Sequence, residues 1–260
     1  MDLNLDSKVA VVTGASRGIG LATVEALAAE GVRIVGAARR TTPDLEAAGA
    51  IPVAADLGTA EGVDTLIKTA LAELGGIDLL VNNVGAGDAV QPGGFLEVDD
   101  TTLQKVLDLN LFSAIRATRL ALPSLIERRG AIVNVSSINS KLPAAAPVAY
   151  SVSKAALTAL GKSLAEEFGA QGVRVNTVSP GTVLTGIWGD ADNFGGKIAA
   201  LAGVEHAEFL RQIPERFGIT TGRITEPREV AALIVFLLSD VAANITGADF
   251  VIDGGMVKAL

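Results

Sequence analysis

Short runs of apolar residues alternate with amphipathic stretches along most of this chain. Residues 8–12 (Lys-Val-Ala-Val-Val) are apolar without alternation and predict a strand buried on both faces. Residues 21–30, rich in Ala and Leu at helical spacing, predict a helix that Gly31 stops. Further strands are predicted over 32–38, 51–54, 77–81, 131–135, 173–178 and 248–252. Helices are predicted from a Thr59 cap to Leu74, over about 99–122 with Pro123 near the end, over 150–168, and from Pro227 to about Ser239. Between 186 and 223 the pattern breaks down, and Gly, Asp and Asn surround one short helical patch at 197–210.

Strands alternating with helices, joined by connections long enough for crossovers, predict an α/β fold. The expectation is one domain over residues 1–260 with a doubly wound, mostly parallel, Rossmann-like sheet and a small lid at 186–223. Such sheets bind ligands beyond the carboxyl ends of their strands. Gly14, Arg39, Asp56, Asn83, Ser137 and Pro180 each follow a predicted strand, so they belong on one edge.

The first strand runs directly into Thr13-Gly-Ala-Ser-Arg-Gly-Ile-Gly20 and then a helix. Strand, glycine turn and helix is the context of a phosphate-cradling loop. Gly14 permits a tight turn, and Gly18 and Gly20 let backbone approach a pyrophosphate. The free N–H groups of the helix start attract its charge. The spacing is G-x-x-x-G-x-G rather than G-x-G-x-x-G. At the end of the second strand stand Arg39 and Arg40, where an NAD site usually places an acid for the ribose hydroxyls. Arginines there favour a 2′-phosphate, with Arg17 adding charge from the glycine loop, so NADP is expected over NAD.

Composition narrows the partners. The net charge of −8 and the absence of a basic run argue against nucleic acid. There is no cysteine, which excludes disulfides and thiolate chemistry. No uncharged apolar run approaches the roughly 18 residues that span a bilayer, and the acidic N-terminus is unlike a signal peptide. A cytoplasmic protein without membrane or metal is expected. Asp190 and Asp192 lack clustered partner ligands, and His206, the one histidine, reads as exposed or locally capped. Trp188 either covers an apolar substrate or anchors the lid.

Chemistry concentrates at Tyr150-Ser-Val-Ser-Lys154. On a helix, residues four apart share a face. A phenol titrates near ~10, and a neighbouring ammonium lowers that value toward the range useful for acid–base work. Ser137, thirteen residues upstream at a strand end, can hydrogen-bond a carbonyl oxygen beside the tyrosine. Asn110 is a polar residue in a mostly apolar helix and needs partners for its amide. Each feature alone is commonplace.

Together they are not. TGASRGIG at 13–20, NNVG at 82–85, Asn110, Ser137, YSVSK at 150–154 and PGTVLT at 180–185 resemble the short-chain dehydrogenase/reductase family in order and spacing. The likeness runs from Lys8 to Gly255. It implies that Tyr150 is the acid–base and that Ser137 steadies the substrate oxygen. Lys154 lowers the tyrosine pKa and holds the nicotinamide ribose, and Asn110 positions a water relay. It also implies that backbone from Ser16 through Arg17 and Gly18 to Ile19 holds the pyrophosphate. Asp56 and Leu57 flank the adenine, and Asn83, with Gly85 beside it, lies near the adenosine ribose. Val183 and Thr185, beyond Pro180 and Gly181, meet the carboxamide. Two positions depart from the family pattern: Val84 replaces the usual Ala and Ser140 a common Gly.

The activity implied is NADP(H)-dependent interconversion of a small-molecule carbonyl and a secondary alcohol. A dinucleotide-binding sensor or scaffold is the alternative, but it has no need of the Asn–Ser–Tyr–Lys set. Epimerases and dehydratases of related families carry a different glycine spacing and a longer C-terminal region. The predicted helices at 99–122 and 150–168 are apolar on more than one face, which predicts a homo-oligomer, and the family resemblance implies a tetramer.

Overall fold

The computed structural model describes residues 2–85 and 95–258. β1 (Val9–Thr13) is buried at every position. It leads through the glycine turn into α1 (Gly18–Ala29) and then β2 (Arg33–Ala38). A short α2 (Pro43–Ala47), capped by the Thr42 hydroxyl, precedes β3 (Ala50–Ala54). α3 (Ala60–Leu74) begins where Thr59 accepts from the Gly62 N–H at 3.0 Å and ends at left-handed Gly75. β4 (Leu79–Asn82), α4 (Asp100–Leu107), a π-helical turn (Asp108–Phe112) and α5 (Ser113–Arg128) follow. Then come β5 (Ala131–Val135), α6 (Val148–Phe168) and β6 (Arg174–Pro180). The lid holds α7 (Gly186–Gly189), α8 (Phe194–Leu201) and α9 (His206–Arg216), and α10 (Pro227–Leu238) and β7 (Asp249–Ile252) close the chain.

The seven strands form one parallel sheet in the order β3-β2-β1-β4-β5-β6-β7. Strand residues alternate between two cores, as a period of two requires. Ala10 and Val12 face α1 and α10, packing with Val24, Leu27, Ile234 and Leu238. Val9 and Val11 face the opposite layer, with Leu66, Ile67, Ala121 and Leu125. The strand order reverses between β1 and β4, which opens a crevice above their carboxyl ends. Among the described residues no helix is long and apolar enough to cross a membrane.

Four departures from the sequence reading have local causes. The helix predicted over 99–122 is interrupted by the π turn, and it runs through Pro123 to Arg128. Pro123 and Arg119, whose carbonyl loses its helical partner, are both exposed, so water can satisfy that carbonyl. Beyond the proline, buried Leu125 and the Ser124 hydroxyl on Ile77 N–H (2.8 Å) hold the helix down. The strand predicted from residue 77 starts at Leu79, and the Asp78 carboxylate takes the Val9 N–H (2.9 Å) that a ladder would have used. The lid's single predicted patch is two helices, parted at left-handed Gly203 and restarted by Glu205, which accepts from the Ala207 N–H. Finally, α2 is too short to show a helical period.

Candidate active site

The glycine turn is shaped by what a Cβ would strike. Gly14 has φ +66°, and a side chain there would meet Val84 Cα at 2.9 Å. One on Gly20 would run into the Gly14 carbonyl, and one on Gly18 would meet the Thr185 methyl at 3.0 Å. Thr13 and Asn83 stitch the turn to the end of β4. The Thr13 hydroxyl accepts from the Asn83 N–H (2.8 Å), and Asn83 Nδ2 donates to the carbonyls of Thr13 (2.9 Å) and Gly14 (3.1 Å). Asn83 thus spends its amide hydrogens on the loop. α1 begins at Gly18, so the first N–H groups of the helix, Ile19 among them, lie at a turn whose three glycines leave the backbone open to approach. That is the geometry a pyrophosphate requires.

Around this cradle the other cofactor-side residues take their places. Ser16 accepts from the Thr42 hydroxyl (3.3 Å), which sets Arg17 on a loop adjoining exposed Arg39 and Arg40. Asp56 is exposed at the end of β3, one carboxylate oxygen holding the Gly58 N–H at 3.0 Å. Leu57 is 1% exposed, so what it offers a ligand is backbone. Val84 turns part of its bulk into the core beneath. Pro180 ends β6, Gly181 is pressed against Asp253, and buried Val183 leads to Thr185 over the glycine turn.

Next to the cradle, β5 and α6 bring the reactive side chains together. Ser136 pins the two elements, donating to the Lys154 carbonyl (3.0 Å) and pairing with the Thr158 hydroxyl (2.8 Å). Lys154, 3% exposed, reaches across to donate to the Val135 carbonyl at 2.8 Å, and its Nζ stands 5.7 Å from the Tyr150 ring centre. The tyrosine ring packs with Val106 and Ala149, so α4 and α6 together orient it. Asn110 sits in the π turn, a distortion frequent at functional sites, and its Nδ2 donates to the Ser153 hydroxyl at 2.9 Å. A side chain on Gly85 would start 3.4 Å from Lys154 Nζ and 3.5 Å from Asn110 Oδ1. Gly85 therefore keeps open the space between lysine and asparagine.

Burial governs the titration here. It pushes the Tyr150 phenol above its usual value, with the Ser137 hydroxyl pulling the other way. It lowers Lys154 from 10.5 to about 8. The sequence expectation that the lysine would dominate and lower the phenol is thus corrected: desolvation wins, because both groups share one water-poor recess.

The structure adds residues that the sequence reading passed over. Asn139 takes the Ser137 hydroxyl proton on its Oδ1 at 2.9 Å. Its position two residues after the serine was the available signal. Lys141 pairs with Asp249 on β7 at 3.0 Å and ties the serine loop to the sheet edge. In the lid, Trp188 makes edge contacts with Phe194 and Phe217, and its carbonyl meets His206 Nε2 at 2.8 Å. Trp188 thus anchors the lid, and His206 is locally engaged.

A backbone cradle for a pyrophosphate beside a serine, a tyrosine and a lysine defines a dinucleotide-dependent oxidoreductase on a doubly wound sheet. Comparison with known proteins agrees. A family model described as enoyl-(acyl carrier protein) reductase matches residues 14–257. The chain is 36% identical over 266 residues to carbonyl reductase [NADPH] 2 of Sus scrofa, covering 100% of both. It is 32% identical over 260 residues to 3-oxoacyl-[acyl-carrier-protein] reductase of Vibrio cholerae, covering 98% of this chain and 99% of that one. Among solved structures, L-sorbose reductase from Gluconobacter frateurii, complexed with NADPH and L-sorbose, matches with a TM-score of 0.91 at 34% identity over 100% of both chains. The chain belongs to the short-chain dehydrogenase/reductase family.

Proposed function

We propose that this protein interconverts a carbonyl compound and a secondary alcohol by NADP(H)-dependent hydride transfer, with Tyr150 as the acid–base. The observation that carries the reading is the convergence of Tyr150, Ser137 and buried Lys154 at the strand edge beside the glycine cradle. NADP, when bound, supplies or accepts the hydride. The Tyr150 phenol, protonated at neutral pH and pushed further up by burial, gives its proton to the carbonyl oxygen during reduction. The Ser137 hydroxyl donates to the same oxygen and stabilises its developing charge. Lys154 offers an ammonium to the cofactor ribose, and the space bounded by Gly85 and Asn110 suits a water that returns a proton. The exposed arginines at 39 and 40, with Arg17 on the adjoining loop, favour the 2′-phosphate of NADP. The relatives that name their cofactor name NADPH, which supports the same preference.

Tyr150→Phe is the test. Carbonyl reduction is expected to fall by about a thousandfold or more, while NADPH still binds as judged by the thermal shift it causes. Turnover within tenfold of the parent protein overturns the assigned role. The protein is also proposed to be a homotetramer joined through the stretch α4–π turn–α5 and α6, where Phe112 in the turn, Leu120 on α5 and Val152 on α6 stay 37%, 41% and 49% exposed on one chain. A light-scattering mass near four times 26.4 kDa is expected, and a mass near one chain refutes it.

A further inference from the structure

The Ser137 hydroxyl has one proton to give. In this structure Asn139 Oδ1 stands at 2.9 Å to receive it, with the Tyr150 phenol a second hydrogen-bond partner of the same hydroxyl, while the Asn139 backbone N–H donates to the serine oxygen at 3.2 Å. The amide's orientation is fixed by its other end. Asn139 Nδ2 faces the Leu142 carbonyl at 3.4 Å, and a carbonyl only accepts, so the nitrogen must lie there and the oxygen at Ser137. Ser140 holds the same loop, its hydroxyl donating to the Ser137 carbonyl at 2.7 Å. Asn139 Oδ1 is therefore a positioned acceptor beside the group that must engage the substrate.

Carbonyl reduction changes this arrangement. To donate to a substrate oxygen, Ser137 must turn its proton away from Asn139. The amide oxygen is then left in a half-buried cleft without its donor, and an unmade hydrogen bond there is costly. A simple ketone has nothing to offer it. A ketone with a hydroxyl on the adjacent carbon does: in its syn arrangement the two oxygens stand about one hydrogen-bond length apart. That matches the 2.9 Å between Ser137 Oγ and Asn139 Oδ1.

We propose that the site selects α-hydroxy carbonyl substrates, and vicinal diols in the reverse direction, with Asn139 Oδ1 accepting from the neighbouring hydroxyl as Ser137 donates to the carbonyl. This rests on the oxidoreductase reading above. In reduction, hydride adds to the carbonyl carbon, the C=O π bond breaks, and Tyr150 protonates the oxygen. The neighbouring hydroxyl is recognised and not consumed, so the product is a vicinal diol.

The test compares three ketones with NADPH: hydroxymethyl ethyl ketone, its methyl ether methoxymethyl ethyl ketone, and diethyl ketone, which matches the hydroxy ketone in size. The methoxy compound keeps the electron withdrawal of the hydroxy compound but has no proton to donate. In the parent protein, kcat/KM for the hydroxy ketone should exceed that for the methoxy ketone by about tenfold or more. In Asn139→Ala that ratio should fall to within about threefold of one. Equal turnover of hydroxy and methoxy ketones by the parent protein, which needs no variant to fold, overturns the proposal alone. So does a ratio that survives in Asn139→Ala. Failure of all three ketones to oxidise NADPH overturns both this proposal and the oxidoreductase reading.

Discussion

Ser136 and Lys154 are eighteen residues apart in the chain, and Asn110 and Ser153 forty-three, yet each pair is joined by a side-chain hydrogen bond. The edge that carries Ser137, Tyr150 and Lys154 is built from such long-range links, fixed in turn by a strand and a helix that share a core. The lid is built the other way. Arg211 and Gln212 bond Glu208, Arg216 bonds Gln212, and Asn193 bonds Asp190, all within one helical turn or so. Its apolar residues form their own small cluster around Phe209, Ile213 and Trp188. At its roots it is clasped by backbone bonds, Leu184 N–H to Thr225 carbonyl (2.8 Å) and Thr225 N–H to Thr182 carbonyl (3.2 Å), and its return is tied to the C-terminal segment by Thr221 N–H on the Gly254 carbonyl (3.0 Å) and Lys258 on the Thr220 hydroxyl (2.6 Å), so its self-contained part is the helices. A region held by distant partners can shift only if much of the molecule shifts, whereas a region held by itself can be rebuilt alone. Chemistry that must stay constant therefore suits the edge, and the lid is the part whose helices can change with less disturbance to it.

The sharpest way to break this contrast is Lys154→Met. The folded protein releases the lysine proton near about 8, whereas the unfolded chain keeps it to about 10.5. Between those values the unfolded state binds more protons, so stability rises with pH. Below the folded value the cost of the buried charge is fully present. Methionine has similar reach and no charge. The expected outcome is turnover reduced by about a thousandfold or more, together with a melting temperature at pH 7 raised by several degrees. The gain in melting temperature should shrink as pH climbs from about 8 toward 10.5. A lower melting temperature would mean that Lys154 holds the edge together rather than straining it.

How far the sequence revealed this division follows from the same contrast. β5 and α3 were readable because apolar period and capping agree: Thr59 caps α3 and the helix ends at Leu74 as expected. The glycine turn was readable because strand and helix flank it. The π turn was not, since Asp108–Phe112 carries the same apolar spacing as a helix, and the shift shows only in the bond from the Ser113 N–H back to the Asp108 carbonyl. The tyrosine's titration was misjudged because a spacing of four reports proximity and says nothing of burial. Asn139 was missed because its partner is set by loop geometry. The lid was unreadable because its helices pack mainly on one another, which leaves no sheet-imposed period.

A middle-sized effect tests the edge at its exposed end. Arg39 stands on the same rim as Lys154, but in solvent. Arg39→Asp should lower the ratio of kcat/KM for NADPH over NADH by about tenfold or more, the worth of one charge-assisted contact with a phosphate. It should leave the melting temperature unchanged, since surface substitutions rarely move it. An unchanged cofactor ratio removes the arginine argument for NADP. A large loss of stability would show that the rim is cross-linked even at its surface.

The smallest expected effect concerns the lid's latch. Arg223, where the lid returns to the body, donates to Glu229 on α10 at 2.7 Å. Glu229 also accepts the Glu226 N–H at 2.8 Å, and these bonds, the arginine's first, hold its carboxyl down at about 2. The latch is thus charged at neutrality, and the difference that Arg223→Gln makes should stay constant above the ordinary carboxyl value of 4.5 and shrink as pH falls from there toward about 2. Both partners are substantially exposed, at 58% and 33%, so solvent screens most of the attraction. Substrate KM should change by less than about twofold and NADPH affinity not at all. Amide exchange over residues 219–225 should quicken, because that return is what the latch restrains. If the melting temperature of the whole protein falls by several degrees instead, lid and edge unfold as one cooperative unit, and the separation between the two regions fails with it.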